Sequence, residues 1–160
     1  MRLHMKIRGF ELVSKYNNET ILMPKRATKK SACYDIFNNT GNDIILQPGQ
    51  LSNAISTKVK SYMLDDEVLM ASVRSGHGFK YSVKLANSVG VIDCDYYNNE
   101  KNEGEIFIKL HNQGDKELVI KSNEAMAQFM FIKYLLADDD NFIDGDIRKD
   151  GFGSTSSIKI

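Results

Sequence analysis

Asn87-Ser-Val-Gly-Val-Ile-Asp93-Cys-Asp95-Tyr96-Tyr-Asn-Asn-Glu-Lys-Asn-Glu-Gly104-Glu-Ile-Phe107 is the stretch on which the reading of this chain turns. A short apolar run, Val89 to Ile92, leads directly into two carboxylates and two tyrosines. A polar, Asn-rich turn follows, and a second strand is expected from Glu105. The pattern predicts a β-hairpin with an acid at the end of its first arm and an aromatic ring three residues later. Such a layout suits a pocket that holds a flat ligand beside a carboxylate able to direct water. Alternation points Asp93 and Asp95 to opposite faces of the strand, which gives them different jobs.

Outward from this stretch, the chain reads as short strands separated by turn residues. Strands are expected over residues 6–13, 32–37, 44–46, 51–60, 68–73, 81–86, 118–120 and 128–133. Pro48-Gly49, Asn112 to Asp115 and Asn38 to Gly41 supply turn chemistry between them. After Glu105, Ile106, Ile108 and Leu110 fall on one face, with Phe107, Lys109 and His111 on the other. This spacing indicates an all-β sandwich or barrel, with at most one short helical turn at 63–67 or 123–127. Arg74-Ser75-Gly76-His77-Gly78 reads as a break in the strand pattern.

Bulk properties narrow the function classes. The 160 residues fit one domain with a substantial core. Twenty-one basic and 21 acidic residues cancel, so no global field draws the chain to nucleic acid or membrane. The two cysteines, Cys33 and Cys94, lack zinc spacing and fit a reducing, cytoplasmic setting as small packing residues. No apolar run is long enough to span a bilayer, and the N-terminus lacks a signal-peptide core. His4, His77 and His111 have no metal-spaced partners and read as surface or edge residues. Arg74-Ser75-Gly76 offers a guanidinium, a hydroxyl and a mobile amide to a phosphate, or equally an ordinary solvated turn. In Arg148-Lys-Asp-Gly151-Phe152-Gly153-Ser154-Thr155, an aromatic side chain lies between glycines and ahead of two hydroxyls, which suits stacking on a base.

Taken in order, these segments resemble the five motifs of the trimeric dUTP pyrophosphatases (dUTPases). They are Ala32-Cys33-Tyr34-Asp35-Ile36, Arg74-Ser75-Gly76, Gly90 to Tyr96, Ala127-Gln128, and Gly151 to Thr155. The resemblance spans about residues 24–156 and is closest to bacterial or phage members with a lengthened third-motif hairpin. It implies a jelly-roll (β-clip) subunit over residues 1–147. It further implies a homotrimer in which a flexible C-terminal arm, residues 148–160, crosses to a neighbour. The implied activity is hydrolysis of dUTP to dUMP and pyrophosphate by attack of water on the α-phosphorus.

The residue roles below are likewise those the resemblance implies. Asp93 orients and deprotonates the attacking water; a carboxylate is a weak base at neutral pH, so geometry supplies most of its effect. Tyr96 packs against the deoxyribose. Asn87, with backbone groups of Val91, Ile92 and the Phe107 strand, reads uracil. Arg74, Ser75, Gly76 and Gln128 contact phosphates from a neighbouring subunit. Phe152 stacks on the base, while Arg148, Gly153, Ser154 and Thr155 enclose the terminal phosphates. Mg²⁺ bridges the phosphates, with Asp35 at most an outer-sphere contact.

Several positions depart from the family pattern. Cys33 and Asn123 stand where glycine is usual, the fourth motif lacks its arginine, and the fifth ends in Ser156. Residues 97–103 lengthen the third-motif tip and are expected to protrude as a flexible loop. Two other readings compete with dUTP hydrolysis. A dCTP deaminase of the same fold is disfavoured by Val91-Ile92-Asp93 with Tyr96 and by the Phe-Gly-Ser-Thr arm. The other is a regulatory binding protein: some phage members of the family bind repressor proteins, and the extended tip is either such a surface or a tolerated insertion.

Overall fold

The computed structural model of the chain describes residues 6–140. The chain begins with β1 (Gly9–Leu12) and a 3₁₀ turn at Ser14–Tyr16. Next come β2 (Tyr34–Phe37), β3 (Ile44–Leu46), β4 (Ile55–Ser56), β5 (Val59–Tyr62) and β6 (Glu67–Ser72). Helix α1 (Ser75–Tyr81) is followed by β7 (Val83–Leu85), β8 (Gly90–Asp93) and a 3₁₀ turn at Cys94–Tyr96. The last strands are β9 (Phe107–Ile108), β10 (Leu110–Asn112), β11 (Leu118–Ile120) and β12 (Ala125–Lys133).

The architecture is the expected all-β jelly roll. One sheet has the order β2-β12-β6-β8, and the other strands pair as β1-β5, β3-β11, β4-β9 and β7-β10, all antiparallel. Strand β6 alternates between buried and half-buried residues, as a strand packed on one face should. Its Leu69 and Ala71 join Ile36, Ile108, Leu110, Ile120 and Phe129 in the core. Burying each large aliphatic or aromatic side chain stabilises the fold by about 1.5–3 kcal/mol. A second apolar group forms where Phe10 meets Tyr34 and Phe131, at ring separations of 5.4 and 5.3 Å.

The structure corrects the sequence reading in four places. The segment 51–60 is two strands, because Lys58 adopts φ 63° and interrupts the extended backbone between β4 and β5, which pair with different partners. The short helix lies at Ser75–Tyr81, not at 63–67 or 123–127. Gly76 and Gly78 were read as breaks, but the helix closes through Ser82, whose left-handed φ of 52° lets its N–H reach the carbonyls of Gly78 and His77. His77 is buried rather than at the surface, because α1 turns it inward. Most consequentially, the stretch 87–107 is not a paired hairpin: β8 pairs with β6, and β9 pairs with β4.

Strand β8 approaches β6 closely where Gly90 faces Ala71. A Cβ placed on Gly90 would lie 2.8 Å from the Ala71 Cβ, a contact that neither backbone can yield without shifting. Gly90→Ala is therefore expected to lower stability by about 1–3 kcal/mol, the usual cost of overpacking. Thermal and urea denaturation measure this; an unchanged midpoint in both would contradict the close packing of β6 on β8.

Candidate active site

The third-motif segment builds a cavity in place of a hairpin ladder. Strand β8 is the edge of the four-stranded sheet, so the backbone groups on its outer side are not committed to β6. The tight turn before it, with Ser88 at φ 64° and the Val89 N–H donating to the Asn87 carbonyl at 2.7 Å, brings Asn87 alongside. Both arms of the segment line the resulting cavity. One arm contributes Asn87, Val91, Ile92, Asp93 and Tyr96; the other contributes Ile106, Phe107, Ile108 and Lys109. Ala71, Leu85 and Gly90 complete the wall. Of the seven residues assigned from the sequence to base, sugar and water, the six within the described residues line one cavity, and Phe152 lies outside them.

Asp93 ends β8 opposite Val68 and precedes the 3₁₀ turn, with extended backbone (φ −75°, ψ 157°). That turn carries Tyr96 into the protein, where it is 7% exposed. Its hydroxyl donates to the Glu105 carbonyl at 2.7 Å and accepts from Asn102 Nδ2 at 2.7 Å. Asp95 is exposed, in keeping with a role separate from that of Asp93.

The lengthened tip does not protrude as a loose loop, contrary to expectation. Its asparagine side chains and one glutamate tie it inward. Asn99 is buried; its amide donates to the Tyr96 carbonyl at 2.9 Å and its oxygen accepts from the Lys101 and Asn102 N–H groups, both at 3.1 Å. Glu103 accepts from the Ser14 hydroxyl and Lys60 Nζ, each at 2.6 Å, and from the Ser14 N–H at 3.2 Å. Gly104, at φ 83°, lies so close to the Tyr96 carbonyl that a Cβ would come within 2.8 Å of it.

Glu105 is 1% exposed and accepts from Lys15 Nζ at 2.5 Å, Tyr16 Oη at 2.7 Å, and the Ser56 hydroxyl. Burial pushes its carboxyl pKa up, but the bonds from Lys15, Ser56 and Tyr16 outweigh burial and hold it below the ordinary value. The sequence reading missed this brace, whose partners are about 50–90 residues away along the chain.

A second group of expected site residues assembles elsewhere. Gln128 on β12 is in register with Asp35 on one side and Ser72 on the other. Its amide donates to the Ser72 hydroxyl at 3.1 Å. Arg74 precedes α1 and its Nε donates to Asp35 Oδ1 at 3.1 Å, leaving Ser75 and Gly76 exposed in the first turn. These residues do not line the Asp93 cavity of the same chain.

His77, in the same helix, is 8% exposed, and its Nδ1 has no hydrogen-bond partner. Burial, with the nearby Arg74 charge adding, lowers its pKa and favours the neutral ring. Among the described residues there is no group of three metal-ligating side chains. Nor is any described helix long and apolar enough to cross a membrane. Cys33 and Cys94 are free thiols.

The model of the dUTPase family matches residues 19–156. The chain belongs to the dUTPase family. It is 45% identical over 153 residues to the deoxyuridine 5′-triphosphate nucleotidohydrolase of Lactococcus lactis, covering 96% of this chain and all of that one. Among solved structures it resembles the dUTPase of Streptococcus mutans, with a TM-score of 0.69, 41% identity, and 81% and 98% of the two chains covered. It also shares the fold of the dUTPase of Staphylococcus aureus phage phi11, with a TM-score of 0.64 at 21% identity over 83% and 94% of the chains.

The family frame clarifies two departures. Cys33 is not among the positive-φ residues, so replacing the usual glycine there brings no left-handed strain. Asn123 does take a left-handed φ, 66°, a region that asparagine tolerates better than most residues. Residues Arg148, Phe152, Gly153, Ser154 and Thr155 of the last dUTPase motif lie outside the described residues.

Glu103 gives this site a specific acid sensitivity. Hydrogen bonds from Lys60, and then from Ser14, lower its carboxyl pKa from 4.5 to about 2. A carboxyl depressed in the folded state contributes stability fully above its unfolded pKa and loses it as pH falls through the folded one. The clasp between the tip and Ser14 should therefore weaken between about pH 4.5 and 2. Hydrogen exchange at the Ser14 amide is expected to accelerate across that window relative to the core strands. Glu103→Gln should show fast Ser14 exchange already at neutral pH, and an acid profile identical to wild type would contradict the assignment.

Proposed function

We propose that this chain hydrolyses dUTP to dUMP and pyrophosphate, with Asp93 directing a water molecule at the α-phosphorus. The observation that carries the reading is the convergence of Asn87, Val91, Ile92, Asp93, Tyr96 and Phe107 on one cavity. The Lactococcus relative's name, covering nearly the whole chain, supports the same substrate. Tyr96 packs against the deoxyribose. Asn87 and the outer backbone groups of β8 and β9 pair with uracil. Cytosine presents a reversed donor and acceptor edge, which would leave buried polar groups without partners. A cavity shaped to uracil would exclude the thymine methyl. Held at the end of β8, the Asp93 carboxylate orients the water and takes its proton as the oxygen bonds to the α-phosphorus and the bond to pyrophosphate breaks.

The phosphates need more than this cavity provides. Arg74, Ser75, Gly76 and Gln128 form a separate polar group within the chain, which supports a site completed between subunits of a homotrimer. In that arrangement one copy supplies the Asp93 cavity and another the phosphate contacts. The C-terminal residues Phe152, Arg148, Gly153, Ser154 and Thr155 take the roles of stacking on uracil and enclosing the terminal phosphates.

Mg²⁺ fits this donor set only if the triphosphate and water supply its ligands. No trio of ligating side chains is present among the described residues, and the Asp35 carboxylate is bound by Arg74. Asp35 would hold the ion through water at most. When bound, Mg²⁺ offsets the charge of the phosphates. Cytoplasmic pyrimidine deoxynucleotide metabolism is the setting, supported by the two free thiols.

Pyrophosphate release from a panel of deoxynucleoside triphosphates, with and without Mg²⁺, tests the reading. Release from dUTP alone, dependent on Mg²⁺, is expected; ammonia release from dCTP would overturn it. Asp93→Asn should still bind dUTP while turnover falls by about 10²–10⁴-fold. Near-normal turnover would remove Asp93 from the reaction.

A further inference from the structure

The Tyr96 hydroxyl is held from two sides by groups whose directions are fixed. Its one proton goes to the Glu105 carbonyl at 2.7 Å. Its oxygen accepts from Asn102 Nδ2 at 2.7 Å. The orientation of the Asn102 amide is set by its neighbours. Asn102 Oδ1 accepts from the Gly104 N–H at 3.1 Å and from Asn99 Nδ2 at 2.7 Å, and both partners can only donate. Asn99 is fixed in the same way, since its oxygen accepts two backbone N–H groups and its nitrogen donates to the Tyr96 carbonyl. The relay runs in one direction, from backbone N–H groups through two asparagines to the phenol.

We propose that Asn102 is a positioning residue for sugar selection: it locks the Tyr96 ring so that the cavity accepts deoxyribose and rejects ribose. The inference rests on the reading of this cavity as a dUTP site. A tyrosine whose proton is committed to a backbone carbonyl presents only its ring to a ligand. A 2′-hydroxyl against that ring would lose water and gain no partner. The ring cannot rotate aside without breaking both of its hydroxyl bonds. The insertion at 97–103 thus acts on the substrate from behind the cavity wall, through Tyr96, without touching the sugar.

The test compares kcat/KM for dUTP and UTP in the full-length wild type, Asn102→Ala, Asn102→Asp, Tyr96→Phe and the Tyr96→Phe/Asn102→Ala double variant. Asn102→Asp keeps an acceptor for Gly104 and Asn99, and so keeps the tip folded. It replaces the donor to Tyr96 with a second acceptor competing for the hydroxyl proton. The wild type should prefer dUTP. The preference should fall about tenfold in each single variant, the scale of one lost buried hydrogen bond. The double variant should lose little beyond Tyr96→Phe alone, because Asn102 acts chiefly through the hydroxyl at 2.7 Å, its own bond to the Glu105 carbonyl being the longer at 3.4 Å. An unchanged preference in folded Asn102→Asp, or a further tenfold loss in the double variant, would overturn the proposal. A wild type that does not hydrolyse dUTP would overturn the dUTP reading, and this inference with it.

Discussion

The hydrogen bond from the Tyr96 hydroxyl to the Glu105 carbonyl joins two chain segments that do not otherwise pair as a ladder. Strand β8 ends just before Tyr96, and β9 begins just after Glu105. A continuous hairpin would satisfy the backbone of both arms and leave no room between them. Here the arms line a cavity, and this side-chain bond takes over the job of fixing one against the other. Such a bond contributes only about 0.5–1.5 kcal/mol net, but without it the buried carbonyl would keep only the longer bond from Asn102 Nδ2 at 3.4 Å. The Glu105 side chain carries the constraint further, through Lys15, Tyr16 and Ser56, to the N-terminal 3₁₀ turn and β4.

Strand β6 performs the complementary task on the other side of the cavity. It lies between β12 and β8, so one strand supports both the Asp93 arm and the row that holds Asp35, Gln128 and Ser72. Its continuation places Arg74 at the start of α1, where Asp35 holds the guanidinium. The chain therefore holds two separate polar groups, which under the proposed function are the half-sites for the nucleoside and for anionic oxygens.

Much of this was legible in the sequence because strands write their burial directly into alternation. Ile106, Ile108 and Leu110 fell on one face and are all buried. The motif residues of the cavity could be named from their order along the chain. Pairing partners could not, because alternation says which face is buried and nothing about which strand lies beside it; the supposed hairpin at 87–107 is the case in point. Polar burial was equally hidden. Asn99, in the tip, and His77 read as exposed, and nothing in the sequence marked Glu105 as buried, yet all three are buried. The insertion 97–103 reads as a protruding loop for the same reason: the amide bonds that hold it inward are not revealed by composition.

The central claim is that water held by Asp93 attacks the α-phosphorus of dUTP. Hydrolysis in ¹⁸O-labelled water, with the products separated and weighed by mass spectrometry, tests it most directly. The account predicts one heavy oxygen in dUMP and none in pyrophosphate. Label in pyrophosphate would mean attack at the β-phosphorus, and would contradict the placement of Asp93 beside the nucleoside end of the substrate.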